Sequence, residues 1–491
     1  MYRLVLYSLI FLVASATIFD IVGLLPHDPL RFLYTVILFV SICWGTNKLF
    51  EKVFEAPSNG ESSLITALIL SLIVSPMKSV DEFIFICWVG VLAVASKYIL
   101  ALHNKHIFNP AAIAVAITAY TLNQSASWWV GNGALFPFVI ICGFLIVKKL
   151  RRFQLVGSFL LTALAVISGM NLLQGEDIRA TFEKAFLYAP LFFLGSIMLT
   201  EPQTMPPTKK YQLMYGGLVG ILYAPQVHIG TFYATPEMAL LIGNLFSYLV
   251  SPKEKLLLKL REKIVTSPET YDFIFSPKKK VSFNPGQYLE WTVSHPHSDS
   301  RGIRRYFTIA SSPTEETLRI RVKIPKDSST FKKALLALQE NDEIVASQLA
   351  GDFVLPKKGQ QKYTFIAGGI GITPFRSIIK NALDLQEKRD VILFFANRHE
   401  SEIVYKELFE KAKEIGLRTV YILTDSDAIP QNWQGRKGRI TEQMIQEEIP
   451  DYKERMYYLS GPNSMVEAYK ALLLTIGVSR NAIVTDYFPG Y

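Results

Sequence analysis

Cysteine is scarce in this sequence: three among 491 residues, Cys43, Cys87 and Cys142, with no CxxC spacing. A cluster held by four cysteine thiolates cannot be built from one such chain, and each thiol reads as ordinary packing. Histidine is sparse too. The seven, His27, His103, His106, His228, His295, His297 and His399, avoid the middle of every long apolar run. Charged side chains are nearly missing from long stretches before about Val250 and recur every few positions after it. Also absent is a separate basic, aromatic-rich segment. The basic residues instead flank apolar runs, so the net charge of +9 reads as membrane topology and attraction to anionic lipid, and nucleic acid is not an expected partner.

What fills the first half is apolar length. Half of all residues are hydrophobic and the mean hydropathy is +0.24. Ten candidate spans, near the ~20 residues that cross a bilayer, lie around 3–24, 29–47, 62–76, 82–100, 109–123, 134–148, 154–173, 185–199, 212–226 and 235–250. The first is read as retained, because other spans follow closely and no small-residue cleavage site is evident. With both ends inside, the inner segments carry thirteen Lys or Arg and the outer ones four, Arg31, Lys78, Arg179 and Lys184. That asymmetry makes the chain a multi-pass protein of the cell inner membrane with a cytoplasmic C-terminal half. The expected domains are 1–250 in the membrane, then 251–358 and 359–491 outside it.

Beyond the Pro- and charge-rich linker that begins at Ser251, the segments LLLKLREKIV, YDFIF, QYLEWTV, YFTIA, LRIRVKI and EIVASQL are strand-like, with one helix near 328–339. Many short strands with one helix predict a small antiparallel β-barrel. From Gln361 the pattern alternates: YTFIA, VILFFA, TVYILT, MYYLS and AIVTDYF are separated by helical or loop segments. Buried strands alternating with helices predict a doubly wound parallel α/β sheet, with its ligand at the carboxyl ends of the strands. The stretch IAGGIGITPFRSII (366–379) sits there. Gly368, Gly369 and Gly371 would admit a pyrophosphate to backbone N–H groups, and Pro374 would open the following helix.

RRYFTIASSP (304–313), the glycine loop and LSGPNSM (459–465) occur in that order, and the half from about 252 to 491 resembles the ferredoxin–NADP reductase family. The resemblance implies FAD bound by the barrel and NADH or NADPH bound by the second domain. Carried over, Arg305 would pair with a flavin phosphate, Tyr306 would belong to the same flavin-binding stretch, Phe307 would lie on the isoalloxazine, and Thr308 would hydrogen-bond near its N5. Ser329 and Thr330 would serve the pyrophosphate. Gly369, Gly371, Thr373 and Pro374 match the nucleotide loop; Gly461, Pro462 and Met465 match the second signature, where Ser460 replaces the usual Cys. Phe307 replaces the family's Tyr. At the end of DYFPGY, Tyr491 or Phe488 would cover the flavin, the alternative being plain packing of a last strand. Arg398 meets a 2′-phosphate on one reading and is a solvated loop residue on the other.

In the first half, HNKHIFNPAA (103–112) and LTEPQTMPPTKK (199–210) put prolines and polar groups against apolar runs. They are either ordinary loops or irregular backbone around a site, where a carboxylate such as Glu201 is a functional candidate. With Asn244 in the last span, this half resembles the D-type membrane protein of Rnf complexes and the B-type membrane protein of the sodium-translocating NADH:quinone oxidoreductase. The residues that carry this are Asn109, Glu201 (Asp in the family), Thr208 and Asn244. The family's Ser-Gly-Ala-Thr motif for covalent FMN is missing, which leaves non-covalent FMN or riboflavin. The combined reading is a membrane-bound NAD(P)H dehydrogenase: hydride to FAD, electrons into the membrane domain, quinone as one acceptor. The competing readings are a redox-regulated ion or solute channel, and a haem-containing ferric reductase plan, which the absence of mid-span histidines disfavours.

Overall fold

The computed structural model describes residues 2–54, 60–79, 81–102, 105–230, 232–250, 255–267, 269–299, 301–356 and 361–486. The chain divides into two compact units, Met1–Lys255 and Leu256–Tyr491.

In the first unit the apolar runs become helices: α1 (Tyr2–Ile21), α2 (Pro29–Val53), α3 (Gly60–Ile73), α4 (Asp81–Ile99), α5 (Pro110–Thr121), α6 (Phe136–Leu150), α7 (Phe153–Leu173), α8 (Ile178–Leu187), α9 (Leu191–Phe193), α10 (Lys209–Tyr223) and α11 (Pro236–Val250). Their starts follow local chemistry. Asp28 and Asn109 cap α2 and α5, each followed by proline in the first turn, where its missing N–H costs nothing. Both sides of the long helices are apolar. α1 buries Leu9 and Leu12 while exposing Ile10 and Ile18, and α7 leaves Leu161 and Leu173 outside. A helix apolar all round suits lipid better than water. Tyr2–Ile21, Pro29–Val53, Glu82–Ile99 and Phe153–Leu173 are long and apolar enough to cross a membrane, whereas α3, α5 and α11 are apolar but shorter.

The span expected at 185–199 is not one helix. Pro190 separates α8 from α9, which runs on as a π-helical turn over Leu194–Met198. Helices α7 and α10 approach closely because Gly216 and Gly220 lie between them. A Cβ at either position would sit 2.6 Å from the carbonyl of Leu155 or Phe159 respectively.

The second unit begins with six antiparallel strands: β1 (Leu256–Ser267), β2 (Thr270–Pro277), β3 (Tyr288–Thr292), β4 (Arg304–Thr308), β5 (Leu318–Lys323) and β6 (Glu343–Ala350), in the order β4-β3-β6-β1-β2-β5. The outer strands β4 and β5 share no ladder; the N–H of Ala310, just past β4, donates to Arg319 O at 2.8 Å. Where the sequence predicts a small antiparallel barrel, the described residues form a six-stranded sheet whose outer strands are linked by this one backbone bond. Phe273, Phe275, Trp291 and Phe331 fill its core, the last from α12 (Thr330–Ala337).

The remaining strands are β7 (Tyr363–Gly368), β8 (Val391–Asn397), β9 (Leu417–Leu423), β10 (Arg436–Lys437), β11 (Met456–Ser460) and β12 (Ile483–Thr485). They form a parallel sheet in the order β10-β9-β8-β7-β11-β12. Every residue of β7 and β8 is buried, as strands covered on both faces require. Helices α13 (Thr373–Asp384), α14 (Lys406–Lys411), α15 (Glu442–Glu448) and α16 (Asn463–Thr475) complete this lobe. Strand order reverses about β7, which puts a ligand crevice over its carboxyl end.

Candidate functional site

Strand β7 ends at Gly368, and a 3-10 turn over Gly369–Ile372 leads into α13, with Thr373 first and Pro374 in the opening turn. The glycines serve different ends. A Cβ on Gly369 would meet nothing within 4 Å, and its φ of +51° suits glycine. A Cβ on Gly371 would lie 2.6 Å from Gly461 N, and one on Gly368 would run into Met465 Sδ. The sequence reading gives all three to a pyrophosphate; the structure uses two for packing the loop Ser460–Met465 against the first loop. Thr373 Oγ1 donates to Ile370 O at 3.2 Å and is buried with Pro374 behind the turn.

A cavity of about 640 Å³ lies over the carboxyl ends of β7, β8 and β9. Among the expected residues, Gly368, Gly369, Pro462, Met465 and Arg398 line it, while Gly371, Thr373, Pro374 and Gly461 do not. Sequence reasoning missed Asn397, Thr424, Arg439 and Tyr469, which also line it. Asn397, Thr424 and Arg439 could have been flagged only by lying at or just past strand ends, Tyr469 sits within α16, and β10, two residues long, carries no periodic signal. Ser460, fully buried, donates to Asp486 Oδ2 at 3.1 Å.

On the flavin side, β4 presents Arg305, Tyr306, Phe307 and Thr308 in succession. Arg305 Nη1 donates to the carbonyls of Arg301, Gly302 and Arg304 at 2.8, 3.0 and 2.6 Å, and Nη2 lies 3.6 Å from Asp299 Oδ1. Its guanidinium also covers the Phe331 ring at 5.1 Å. Tyr306 meets Tyr288 edge-on, and Phe307 packs in the sheet core with Phe331 at 6.0 Å. Ser329 caps α12 and its Oγ accepts from Lys332 N; Thr330 N–H donates to Asp299 Oδ2 at 3.1 Å. Burial raises the Asp299 carboxyl, but its hydrogen bonds from Arg301 and Thr330 outweigh this and hold it below the usual range.

These contacts test whether the residues fit a flavin dinucleotide. The Asp299 carboxylate stands where the resemblance puts phosphate oxygens, between a guanidinium and a helix-terminal N–H, so the site holds an anion. Thr308 Oγ1 is buried without a hydrogen-bond partner. An anion cradle at Arg305 and α12, with an unused donor at the end of the same strand β4, fits FAD. Phe488 and Tyr491 lie outside the described residues.

In the helical unit the structure brings together three of the four expected residues. Asn109 N–H donates to Asn244 Oδ1 at 2.8 Å, and Asn109 Nδ2 to Glu201 Oε2 at 2.9 Å. Thr204 Oγ1 also donates to Glu201, and Asn244 Nδ2 to Tyr215 OH at 3.0 Å. His106 Nε2 lies 3.6 Å from Glu201 Oε1. Thr208 stands apart, as the N-cap of α10 without a side-chain cap bond. A cavity of about 60 Å³ beside Asn109 and Glu201 is lined also by Ser62 and Thr66, which hold the Lys97 ammonium.

Residues 365–471 match the oxidoreductase NAD-binding domain family. The chain is 30% identical over 229 residues to a flavohemoprotein of Bacillus subtilis, covering 45% of this chain and 56% of that protein. It is 27% identical over 233 residues to a stachydrine N-demethylase reductase subunit of Rhizobium meliloti, covering 46% of this chain and 65% of the relative. The chain thus spans less than two thirds of these relatives. Among solved structures, it is similar to the Amycolatopsis cytochrome P450 reductase at 26% identity and a TM-score of 0.43, over 48% of this chain and 69% of that one. The C-terminal unit is an FAD-dependent, NAD(P)H-binding oxidoreductase module.

Proposed function

We propose that the whole chain is a membrane-bound NAD(P)H dehydrogenase that takes hydride in its C-terminal unit and passes electrons to its membrane unit. The observation that carries this is the Asn109–Glu201–Asn244 network, a polar cluster built into an apolar helical unit of the same chain as the oxidoreductase module. Polar groups at such depth persist where they serve a substrate or electron path. FAD, when bound, supplies an N5 that accepts hydride and a ring that releases electrons singly. Arg305 and the N-terminus of α12 would hold its phosphates once Asp299 yields, Thr308 would orient the ring through its spare hydroxyl, and Phe307 would wall it. Gly368, Gly369 and Pro462 would hold the nicotinamide dinucleotide over β7. Counted over the ten expected spans, the loop basic residues favour a cytoplasmic C-terminal unit. In the membrane unit the acceptor is quinone or a non-covalent FMN or riboflavin, with Asn109, Glu201 and Asn244 as its surroundings.

The test compares detergent-solubilised full chain with the fragment Leu256–Tyr491. The full chain is expected to reduce a short-chain quinone with NADH or NADPH much faster than the fragment, while both reduce ferricyanide. Equal quinone rates would remove the membrane unit from the electron path and leave the channel reading in its place.

A further inference from the structure

Two buried cations, one from each lobe of the C-terminal unit, converge on a single ring. Arg321 comes from β5 of the antiparallel sheet, and Arg376 from α13 beside the parallel one. Their guanidinium carbons lie 4.3 and 5.2 Å from the centroid of the Tyr405 ring. The Tyr405 hydroxyl crosses the same seam and donates to Asp272 Oδ2, on β2, at 2.8 Å. Asp272, fully buried, also accepts from Arg321 Nε at 2.7 Å and from Arg319 Nη1 at 2.8 Å.

Filling space does not require such a cluster. Three guanidinium groups share two carboxylates here, Asp272 and Glu315. Apolar side chains of similar volume often replace buried ion pairs at no loss of stability. Tyr405 also holds its φ at +59°, a left-handed backbone that a bulky residue adopts only where its surroundings impose it.

The cluster lies between the two halves of the candidate site. On one side, Tyr405 ends the segment that leaves β8, whose Asn397, Arg398 and Glu402 line the cavity together with Arg321. On the other, Arg376 Nη1 donates to Ala310 O at 2.6 Å, two residues past Thr308, and Ser377 Oγ donates to Ser311 O at 2.5 Å. Arg376 follows Thr373 by three residues, so it stands within one helical turn of the glycine loop. Arg376 thus ties the glycine loop to the chain leaving β4, and the Tyr405 ring backs its guanidinium.

We propose that Tyr405 is a positioning residue for hydride transfer: by ordering Arg321 and Arg376 over its ring, it fixes the spacing between the loop after β7 and strand β4. This rests on the reading of those two segments as the nicotinamide and flavin sites. The transfer carries one hydrogen with its electron pair from nicotinamide C4 to flavin N5, which oxidises the first, reduces the second and needs no other reactant. Its rate falls steeply with distance, and ~1 Å of misplacement can cost on the order of a hundredfold.

The experiment is stopped-flow reduction of the detergent-solubilised, FAD-loaded full chain by NADH and by NADPH, each with hydrogen or deuterium at nicotinamide C4. Tyr405→Leu is expected to lower the limiting rate of flavin reduction by roughly ten- to a hundredfold while a primary isotope effect is kept. The dissociation constant of the nucleotide is expected to stay within about twofold. Without nucleotide, amide hydrogen exchange over residues 309–315 is expected to quicken in the same variant, and unchanged exchange there would overturn the proposal. Tyr405→Phe keeps the ring and loses the bond to Asp272. It is expected to slow reduction by roughly two- to tenfold, and it decides the question if the leucine variant does not fold. An unchanged limiting rate in the folded variants, a slowing that abolishes the isotope effect, or weaker nucleotide binding at an unchanged rate each overturns the positioning role. Wild-type protein whose flavin is reduced by neither NADH nor NADPH would overturn the underlying reading instead.

Discussion

At the scale of single residues, close approach matters more than conformational freedom. Gly371 does not need a positive φ; it needs the space that Ser460 and Gly461 occupy. Gly371→Ala is expected to destabilise the C-terminal unit by about 1–3 kcal/mol, as overpacking against backbone does, read as a lower urea midpoint together with weaker nucleotide binding. Thr308 is the opposite case, a buried hydroxyl with a bond still to make. Thr308→Val keeps its shape and removes that bond. The expected outcome is unaltered folding with a roughly two- to tenfold slower NADH-driven bleaching of flavin absorbance in stopped flow, the size of one ordinary hydrogen bond.

At the scale of elements, ion pairs tie segments that no ladder joins. Arg376, buried in α13, reaches past its own helix: Nη1 donates to Ala310 O at 2.6 Å and to Glu315 Oε2 at 2.8 Å, and Nη2 to Glu315 Oε1 at 3.0 Å. Burial raises the Glu315 carboxyl, but these bonds and the guanidinium charge outweigh it and leave it below the ordinary carboxylate range. Breaking a buried pair strands its partner, so Arg376→Met is expected to cost about 3–5 kcal/mol in urea unfolding. A second tie joins the loop before β11 to the start of β7. Asp451 accepts from Arg455 and Lys362, and the Arg455 hydrogen bond foremost holds its carboxyl down to about 2. A depressed folded pKa stabilises above the unfolded value of about 4 and loses that stability as pH falls through the folded one. The stability gap between wild type and Asp451→Asn is therefore expected at pH 7 and should close between about pH 4 and pH 2. A gap constant across that window would deny Asp451 its role.

At the scale of the whole molecule, each unit has hydrophobic cores of its own among the described residues. One hydrophobic cluster lies entirely within the helical unit, and three lie entirely within Leu256–Tyr491. The fragment beginning at Leu256 is accordingly expected to be soluble, with FAD content close to one per chain and a single thermal transition. In the full chain, Glu201→Gln removes a carboxylate that Asn109 and Thr204 both bond. It is expected to lower the ratio of quinone to ferricyanide reduction, and an unchanged ratio would place the electron path elsewhere.

The sequence by itself determined the two-part plan, because a composition nearly free of charge gives way abruptly near Val250 to one rich in it. It also determined the six antiparallel strands and five of the six parallel ones, since periods of two and runs of buried residues are local properties. The glycine loop and the RRYFT strand were legible for the same reason: each is a continuous stretch. The tertiary structure alone decided the rest. Pro190 breaks a run that hydropathy reads as one span, and only packing shows where the chain resumes as a π-helical turn. That the loop at 460–465 leaves no room for a side chain on Gly371, that Asp299 stands between Arg305 and α12, and that Asn109 meets Asn244 across 135 positions are contacts the chain makes only on folding. The same holds for Asn397, Arg398 and Arg439. Their shared wall follows from strand order, which is set by long-range pairing and burial, and no spacing within the sequence encodes it.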